Sequence, residues 1–177
     1  IFMCCECNTN KLYKILTITI ICFSIIIFLL VMFCGNKNQE KDILSAIAVE
    51  GDNTEIGNAT IKFSNNTIEV GNAIAHEPES DEITINETGI YQISYQLLGE
   101  EQIIGTFNFN AALQVNDIVL LDTLNESPIL RENTANRMTL TSTVILQLNQ
   151  GDILKLVGLS IEDIIYENAR IDIEKID

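Results

Sequence analysis

FNFNAALQV, residues 107–115, alternates apolar and polar side chains along the chain. One face of this stretch carries Phe107, Phe109, Ala111, Leu113 and Val115, and the other carries Asn108, Asn110, Ala112, Gln114 and Asn116. Successive side chains of a β-strand point to opposite faces of a sheet, so a period of two is typical of a half-buried strand. The stretch therefore predicts a strand with one face in a core.

The same alternation extends on both sides, between residues 83 and 176, and short Gly, Asn and Asp turns interrupt it. It predicts an all-β antiparallel sandwich of about eight to ten strands, the size of a jelly roll. Gly71–Asp81 is acidic and contains a proline, which predicts an exposed loop, and residues 122–137 predict a long connection with at most a short strand near Ile129. The predicted strands are Ile43–Val49, two short strands within residues 58–70 on either side of an Asn65-Asn66 turn, Ile83–Ile85, Ile90–Leu98, Phe107–Val115, Ile118–Leu121, Met138–Leu148, Ile153–Leu159 and Ala169–Ile176.

An apolar segment precedes this pattern. Ile15–Phe33 has no charged residue, glycine or proline, and about 20 helical residues span the hydrocarbon core of a bilayer. A cleaved signal peptide is the rival reading, but its apolar region is usually about 7–15 residues long and ends at a small-residue cleavage site. The segment predicts an uncleaved transmembrane helix over residues 15–34. It divides the chain into a cytoplasmic tail (1–14), the membrane helix (15–34), a polar linker (35–42) and a jelly-roll domain (43–177).

Cysteine placement predicts the orientation of this anchor. All five cysteines lie at or before Cys34, three of them (Cys4, Cys5 and Cys7) in the N-terminal tail. Free thiols persist in a reducing compartment, whereas a domain without cysteine is indifferent to an oxidising one. We therefore expect the tail inside the cell and the large domain outside it.

The charge of the chain excludes one class of partner. The formal net charge is −15, and only one of the 25 acidic residues, Glu6, precedes Phe33. A surface this acidic repels polyanions, so nucleic-acid binding is excluded.

Three segments resemble the tumour-necrosis-factor/complement-q superfamily. These are Glu87–Tyr95 with its Gly-x-Tyr strand start, Val144–Leu156 with its Leu-x-x-Gly-Asp turn, and the final alternating stretch Ala169–Ile176. They occur in the order and spacing typical of that superfamily and are most similar to the C-terminal domain of bacterial collagen-like exosporium glycoproteins. The resemblance implies a TNF-like jelly-roll β-sandwich of about ten antiparallel strands that forms homotrimers. Its members commonly follow a stalk or a type II membrane anchor.

The chain departs from the superfamily in two respects. It lacks the collagen-like stalk of the exosporium proteins, which puts assembly into a spore coat in doubt. It also lacks a residue-by-residue match to the acidic calcium-binding clusters of some complement-q relatives. The sequence therefore predicts no catalytic, cofactor-binding or metal-binding residues and no cofactor.

Several groups of residues are candidate sites. His76 is the only histidine and lies in the acidic stretch, where we expect a solvated loop residue rather than a metal ligand. Glu77–Glu82 lacks the spacing of a calcium loop, which favours an exposed acidic loop. The alternatives for Cys4, Cys5 and Cys7 are acylation, free thiols or, less favoured, zinc binding.

Three further groups of residues have a structural explanation. Thr139, Thr141 and Thr143 share one strand face and form either a polar seam inside a trimer or, preferentially, a solvent-facing row. Tyr91 and Tyr95 are expected inside the sandwich. Four asparagines fit the N-glycosylation rule, a match that also arises by chance in an Asn-rich chain: Asn58, Asn65, Asn86 and Asn125.

The sequence favours binding over catalysis. It has no nucleophile motif and no phosphate-binding glycine loop, so we expect that the protein is not an enzyme. The preferred hypothesis is a membrane-anchored, extracellular, trimeric module that binds a protein or glycan ligand or acts in adhesion at the cell surface. The alternatives are a structural component of a spore or cell-surface layer and, least favoured, a glycan-active enzyme that would need paired carboxylates in a cleft.

Overall fold

The computed structural model describes residues 13–26, 41–49, 58–101, 106–107, 109–126, 130–131, 137–160 and 164–177. The chain divides into two compact units, Ile1–Glu40 and Lys41–Asp177. The described part of the first unit is one α-helix, residues 13–26, whose side chains are exposed. None of the described helices is long and apolar enough to cross a membrane. Residues 27–34 of the predicted anchor lie outside the described residues.

Fourteen β-strands and one 3-10 helix make up the described part of the second unit. The 3-10 helix is Leu121–Thr123. The strands are β1 Ile43–Ala48, β2 Ala59–Thr60, β3 Asn65–Val70, β4 Ile74–His76, β5 Ile83–Ile85, β6 Gly89–Glu101, β7 Thr106–Phe107, β8 Phe109–Val115, β9 Ile118–Val119, β10 Asn125–Glu126, β11 Leu130–Arg131, β12 Arg137–Leu148, β13 Ile153–Ser160 and β14 Ile164–Lys175.

These strands form two main sheets, and each strand pair within them is antiparallel. The five-stranded sheet has the order β12-β6-β14-β1-β3. The seven-stranded sheet has the order β10-β8-β13-β5-β4, with β2 beside β13 and β9 beside β8. Strands β7 and β11 form a separate pair. The predicted all-β antiparallel architecture is confirmed.

A single hydrophobic core collects the inward side chains of both sheets. On β6, Tyr91 and Tyr95 are buried, as the alternation predicts, while Gln92 and Gln96, each the next residue along the chain, are exposed. The buried hydroxyls are satisfied, since Tyr91 donates to the carbonyl of Glu87 at 2.6 Å and Tyr95 donates to that of Thr123 at 3.1 Å. Burial of paired apolar faces is the main stabilising term for such a sandwich.

The predicted strand over residues 107–115 is only partly correct. Phe109, Ala111 and Leu113 are fully buried on β8, but Ala112, predicted on the polar face, is buried as well. Phe107 belongs to β7, which pairs with β11 instead of continuing into the main sheet. Small Ala112 opposes Val157 of β13, and a short apolar side chain fits on either face of a paired central strand.

The predicted Asn65-Asn66 turn is wrong. Both residues belong to β3, which pairs with β1, and Thr67 donates to Ser45 Oγ at 2.9 Å. The last predicted strand is also longer than expected, because β14 starts at Ile164 and crosses a register shift before Ala169. Tertiary pairing overrides the turn preference of asparagine at this sheet edge.

The predicted exposed loop Gly71–Asp81 contains a strand. β4 pairs with β5, and Ala73 and Ile74 are buried. The turn before β4 is closed by Asp42, whose Oδ1 accepts hydrogen bonds from the backbone N–H groups of Asn72 at 2.7 Å and Ala73 at 2.9 Å. The end of the predicted linker is therefore part of the folded domain.

Candidate binding surface

The outward face of the five-stranded sheet is the candidate functional surface; we call it the outward face. Strand alternation places Gln92, Ser94 and Gln96 of β6 on it, because Tyr91 and Tyr95 point into the core. β12 contributes its exposed odd-numbered residues from Thr139 to Ile145, and β14 contributes Arg170 and Asp172. Small hydroxyl and amide side chains therefore dominate its centre.

A row of polar side chains crosses this face in register. Thr143 of β12 lies opposite Ser94 of β6, Ser94 lies opposite Asp172 of β14, and Asp172 lies opposite Ser45 of β1. The Thr143 and Ser94 hydroxyls are 2.9 Å apart and share a hydrogen bond. Cross-strand pairs of this kind stabilise a sheet modestly and hold the side chains at fixed positions.

An ion pair lies in the same face. Arg170 donates to both carboxylate oxygens of Asp172, with Nε to Oδ2 at 2.8 Å and Nη2 to Oδ1 at 3.0 Å. Desolvation by burial alone would raise the pKa of Asp172, but hydrogen bonds from Arg170 and Ser45 and the charge of Arg170 lower it overall. The hydrogen bond and charge of Asp172 raise the pKa of Arg170. The pair stays ionised at neutral pH and cancels its own charge.

Two neighbouring depressions share Gln96 and Arg170. The larger one, of about 560 Å³, is bounded by residues of β6, β12 and β14 and includes the Thr143–Ser94 contact and the ion pair. The smaller one, of about 290 Å³, extends towards Ile47 and Val49 of the β1 side. Their hydroxyl and amide groups donate and accept hydrogen bonds but do not titrate near neutral pH.

Apolar side chains border the outward face. Ile145 on the edge strand β12 is 62% exposed, and Ile68 and Val70 lie exposed on the opposite edge strand β3. These exposed apolar side chains at the two edges can contribute apolar contact area to an interface.

The structure corrects the expectation for His76. Its side chain is 5% exposed, not solvated, and both ring nitrogens contact polar partners. The neighbouring acidic residues Glu77, Glu79 and Glu82 are exposed, in agreement with an exposed acidic loop. Lys155 of β13 contacts Glu82 at 2.9 Å and Asp81 at 3.5 Å.

Where the structure describes them, the remaining predicted groups do not come together as a site. Thr139, Thr141 and Thr143 are exposed on β12, which leaves both of their interpretations open. Cys22 is a free, exposed cysteine of the α-helix, and the other four cysteines lie outside the described residues. Among the asparagines of the glycosylation pattern, Asn125 is partly buried and the other three, Asn58, Asn65 and Asn86, are exposed. Within the described ranges, no group of three His, Cys, Asp or Glu side chains is arranged to hold a metal ion.

Sequence reasoning missed Ser45, Arg170 and Asp172. Arg170 and Asp172 occupy alternate positions of the last strand, a spacing that places them on one face and that could have indicated a pair. Ser45 gave no such signal, because it lies in the small, mainly apolar stretch ILSAIA, and only pairing with β14 brings it beside Asp172.

Comparison with known proteins identifies the fold. No protein-family profile matches the chain, and no curated protein sequence matches it. Among solved structures, murine APRIL at pH 5.0 matches with a TM-score of 0.55 and 16% identity, covering 77% of this chain and 99% of that one. Murine APRIL at pH 8.0 matches with a TM-score of 0.51 and 15% identity, over the same shares of the two chains. The globular domain of zebrafish complement 1qA matches with a TM-score of 0.53 and 10% identity, covering 76% and 95%.

These likenesses confirm the predicted jelly-roll fold. The domain shares this architecture with murine APRIL and with the globular domain of zebrafish complement 1qA. At 10–16% identity the likeness shows the fold alone. The expected closeness to exosporium glycoproteins stays a prediction. The chain thus has a jelly-roll fold similar to those of murine APRIL and the complement 1qA globular domain, and this fold alone does not define its function.

Proposed function

We propose that the protein is a trimeric binding module in which three copies associate through the outward face and display a surface for an extracellular protein or glycan ligand. The observation that carries this proposal is the neutral, hydroxyl-rich centre of that face. The resemblance to the superfamily, which implies homotrimers, supports the same arrangement.

Charge is the main physical argument for this face. Each copy carries a formal net charge of −15, so copies repel one another except where their contact surfaces lack unpaired charge. The centre of the outward face meets this condition, because its Thr, Ser and Gln side chains are neutral and Asp172 is paired with Arg170. The exposed loop around Glu77 and Glu79 is acidic and does not meet this condition.

The apolar border supplies a driving force for association. Burying Ile145, Ile68 and Val70 against a second copy removes apolar area from water, at about 25 cal/mol per Å². The two depressions also leave room for side chains of the neighbouring copy. Hydroxyl rows on the facing strands then form hydrogen bonds across the contact, so that burial leaves few polar groups unsatisfied.

We further propose that the N-terminal segment anchors this module, with the tail inside and the domain outside the cell. The apolar stretch 15–33 supports the anchor, and the confinement of cysteine to residues 4–34 supports the orientation. In the described helix, Thr17 and Thr19 donate to carbonyls one turn earlier, at 2.8 Å to Tyr13 and 2.9 Å to Ile15. Hydroxyls satisfied within their own helix are compatible with a lipid surrounding.

Two matched isoleucine variants test the contact surface. Ile145 on β12 is 62% exposed and Ile118 on β9 of the other sheet is 67% exposed, so neither change disturbs the core. In the full chain in detergent micelles, we expect Ile145→Arg to shift sedimentation from trimer to monomer and Ile118→Arg to leave it unchanged. Equal effects of the two variants, or no effect of either, would contradict the proposal.

The role as a component of a spore or cell-surface layer stays a prediction of the sequence. Such a layer would use the same trimer, with further contacts between trimers. Recovery of the protein in an insoluble surface layer, and not in the detergent-soluble membrane fraction, would favour it over a displayed binding module.

A further inference from the structure

Strand β12 forms one edge of the five-stranded sheet, where its neighbour is β6. Its register with β6 is continuous from Arg137 to Leu148 and contains no bulge. Residues 138–148 include no charged residue, glycine or proline. Sheet edges are usually protected by charged side chains, prolines or bulges, because free backbone groups recruit further strands. Residues 138–148 have none of these protections.

The hydrogen bonds around β12 show which of its backbone groups face away from β6. The carbonyl of Thr141 accepts a hydrogen bond from Nδ2 of Asn125, on β10 of the other sheet, at 2.7 Å. In an antiparallel strand the N–H and C=O of one residue point to the same side, and that side alternates along the strand. The odd-numbered residues of β12 therefore direct their backbone groups away from β6. The hydrogen bond between the Thr143 and Ser94 hydroxyls agrees with this, since opposite residues lie closest where the ladder bonds point away.

The covered part of this edge ends at Thr141. Past that residue, no described strand pairs with β12 on the side away from β6. The N–H and C=O groups of Thr143, Ile145 and Gln147 thus point out from the sheet at the spacing of an extended strand. We call residues 143–147 the free edge.

The hydrophobic core is open beside the free edge. On the inward face of β12, Leu140 and Leu148 are 5% and 3% exposed, whereas Val144 and Leu146 between them are partly buried. Val115 of β8, in the other sheet, packs against the same core and is partly buried as well. We call Val144 and Leu146 the open core positions. A strand added to the free edge would cover them, because every second side chain of that strand would point inward.

We propose that the free edge binds an extended, uncharged peptide strand of a partner protein, with apolar side chains at alternate positions and a basic residue at its N-terminal end. The backbone of this strand pairs with Thr143, Ile145 and Gln147, and its apolar side chains cover the open core positions. Main-chain hydrogen bonds supply affinity in such strand addition, and alternate side chains supply specificity. This contact goes beyond the proposed trimer, because it uses backbone groups in the plane of the sheet and not the side chains of the outward face.

Charge defines the chemistry of the partner strand. The free edge and the open core positions are neutral, so a charged side chain placed against them would lose water without gaining a partner. Asp117, exposed at the turn between β8 and β9, forms no ion pair with a described residue. A hydrogen bond of 2.7 Å between Asn116 and Asp152 joins that turn to the turn after β12. A strand antiparallel to β12 begins at this end, where a basic residue meets the negative charge of Asp117. The edge strand β3 of a second copy carries Glu69 and does not fit this description.

A synthetic peptide tests the proposal on the full chain in detergent micelles. The probe is acetyl-Lys-Thr-Val-Thr-Val-Thr-amide, whose valines oppose the open core positions when its threonines pair with the free edge. We expect saturable binding that slows amide hydrogen exchange at Thr143, Ile145 and Gln147 about tenfold or more. The amides of Val144 and Leu146 face β6 and should change little. The same peptide N-methylated at its threonines cannot donate these hydrogen bonds and should not bind.

Two variants of one residue locate the contact. The N–H of Gln147 faces away from β6, so Gln147→Pro keeps the ladder with β6 and blocks strand addition. We expect Gln147→Pro to weaken peptide binding about tenfold or more, and Gln147→Ala, which keeps the N–H, to bind the peptide like the wild type. Asp117→Asn should weaken binding about two- to fivefold, as for one exposed ion pair lost. If Gln147→Pro does not fold, the N-methylated peptide decides.

Several results would overturn the proposal. These are the absence of binding, equal binding of the N-methylated peptide, or protection of amides that excludes the odd-numbered residues of the free edge. Sedimentation equilibrium of the same samples adds one more. A fall in the number of protein copies per particle on addition of the peptide would show that a second copy, and not a partner strand, occupies the free edge.

Discussion

Among single residues, Tyr166 depends on a glycine in a neighbouring strand. Its ring occupies the space that a side chain at residue 158 would fill. Its ring reaches from β14 to β13, where a Cβ at Gly158 would lie 2.2 Å from Tyr166 Cζ. Gly158 lies between Ala59 and Ala111 in neighbouring strands, so a row of small residues receives the ring. Burial raises the pKa of Tyr166, as expected for a phenol inside the core.

We expect Gly158→Ala to lower the free energy of unfolding by about 1–3 kcal/mol, because the added methyl overlaps the Tyr166 ring and the backbone of a central strand cannot retreat. Chemical denaturation of the full chain in micelles, followed by circular dichroism, measures this loss. Tyr166→Leu should lower the free energy of unfolding less in the Gly158→Ala variant than in the wild type, since the smaller side chain relieves the overlap. Additive losses would show that the two residues do not share this space.

At the scale of elements, the turn between β12 and β13 joins three parts of the second unit. Gly151 has a φ of 90°, which glycine adopts without strain, and its N–H donates to the carbonyl of Ile85 at 2.7 Å. Asp152 Oδ2 accepts from the Asn149 N–H and Oδ1 accepts from Asn116 Nδ2, both at 2.7 Å. Its carboxylate thus connects this turn to the turn between β8 and β9.

The Asp152 turn predicts an acid-dependent loss of stability. The backbone hydrogen bond from Asn149 and the side-chain bond from Asn116 lower the pKa of Asp152 below its usual value of 3.8. Its stabilising contribution is therefore complete above about pH 4 and is lost as the pH falls through the lowered pKa. We expect Asp152→Asn to be less stable than the wild type at pH 7, and the difference to shrink as the pH falls below 3.8 towards the lowered pKa of Asp152. A constant difference in denaturation midpoint at all pH values would contradict this assignment.

The alternation of the sequence predicts the long strands and fails at the short or fully exposed ones. β6 and β12 follow it closely, because one face of each is buried or partly buried along its length. β3 shows no buried face, and its pairing with β1 depends on partners far along the chain. β4 has three residues, too few to show a period. Local pattern therefore predicts strands that bury one face, while β3, β4 and the Asp172 contacts depend on tertiary pairing.

At the scale of the whole molecule, the two ends of the chain differ in chemistry. The N-terminal part holds all five cysteines and the apolar segment, and nearly all acidic residues follow it. The anchored module proposed above would account for this division.

Thiol labelling tests the proposed orientation. With a membrane-impermeant maleimide, we expect no labelling of Cys4, Cys5 and Cys7 in intact cells and labelling after the membrane is permeabilised, because the proposed orientation places the tail inside. An Ile118→Cys variant, in an exposed position of the outer domain, should be labelled in intact cells and serves as the positive control. Labelling of the tail in intact cells would reverse the orientation.

The association state of the full chain tests the proposed trimer. Sedimentation equilibrium in density-matched detergent micelles gives the number of protein copies per particle without a reference shape. We expect three copies at micromolar concentration, because the proposed contact through the neutral centre of the outward face brings the least charge of these acidic chains together. A stable single copy at that concentration would contradict the proposed trimer.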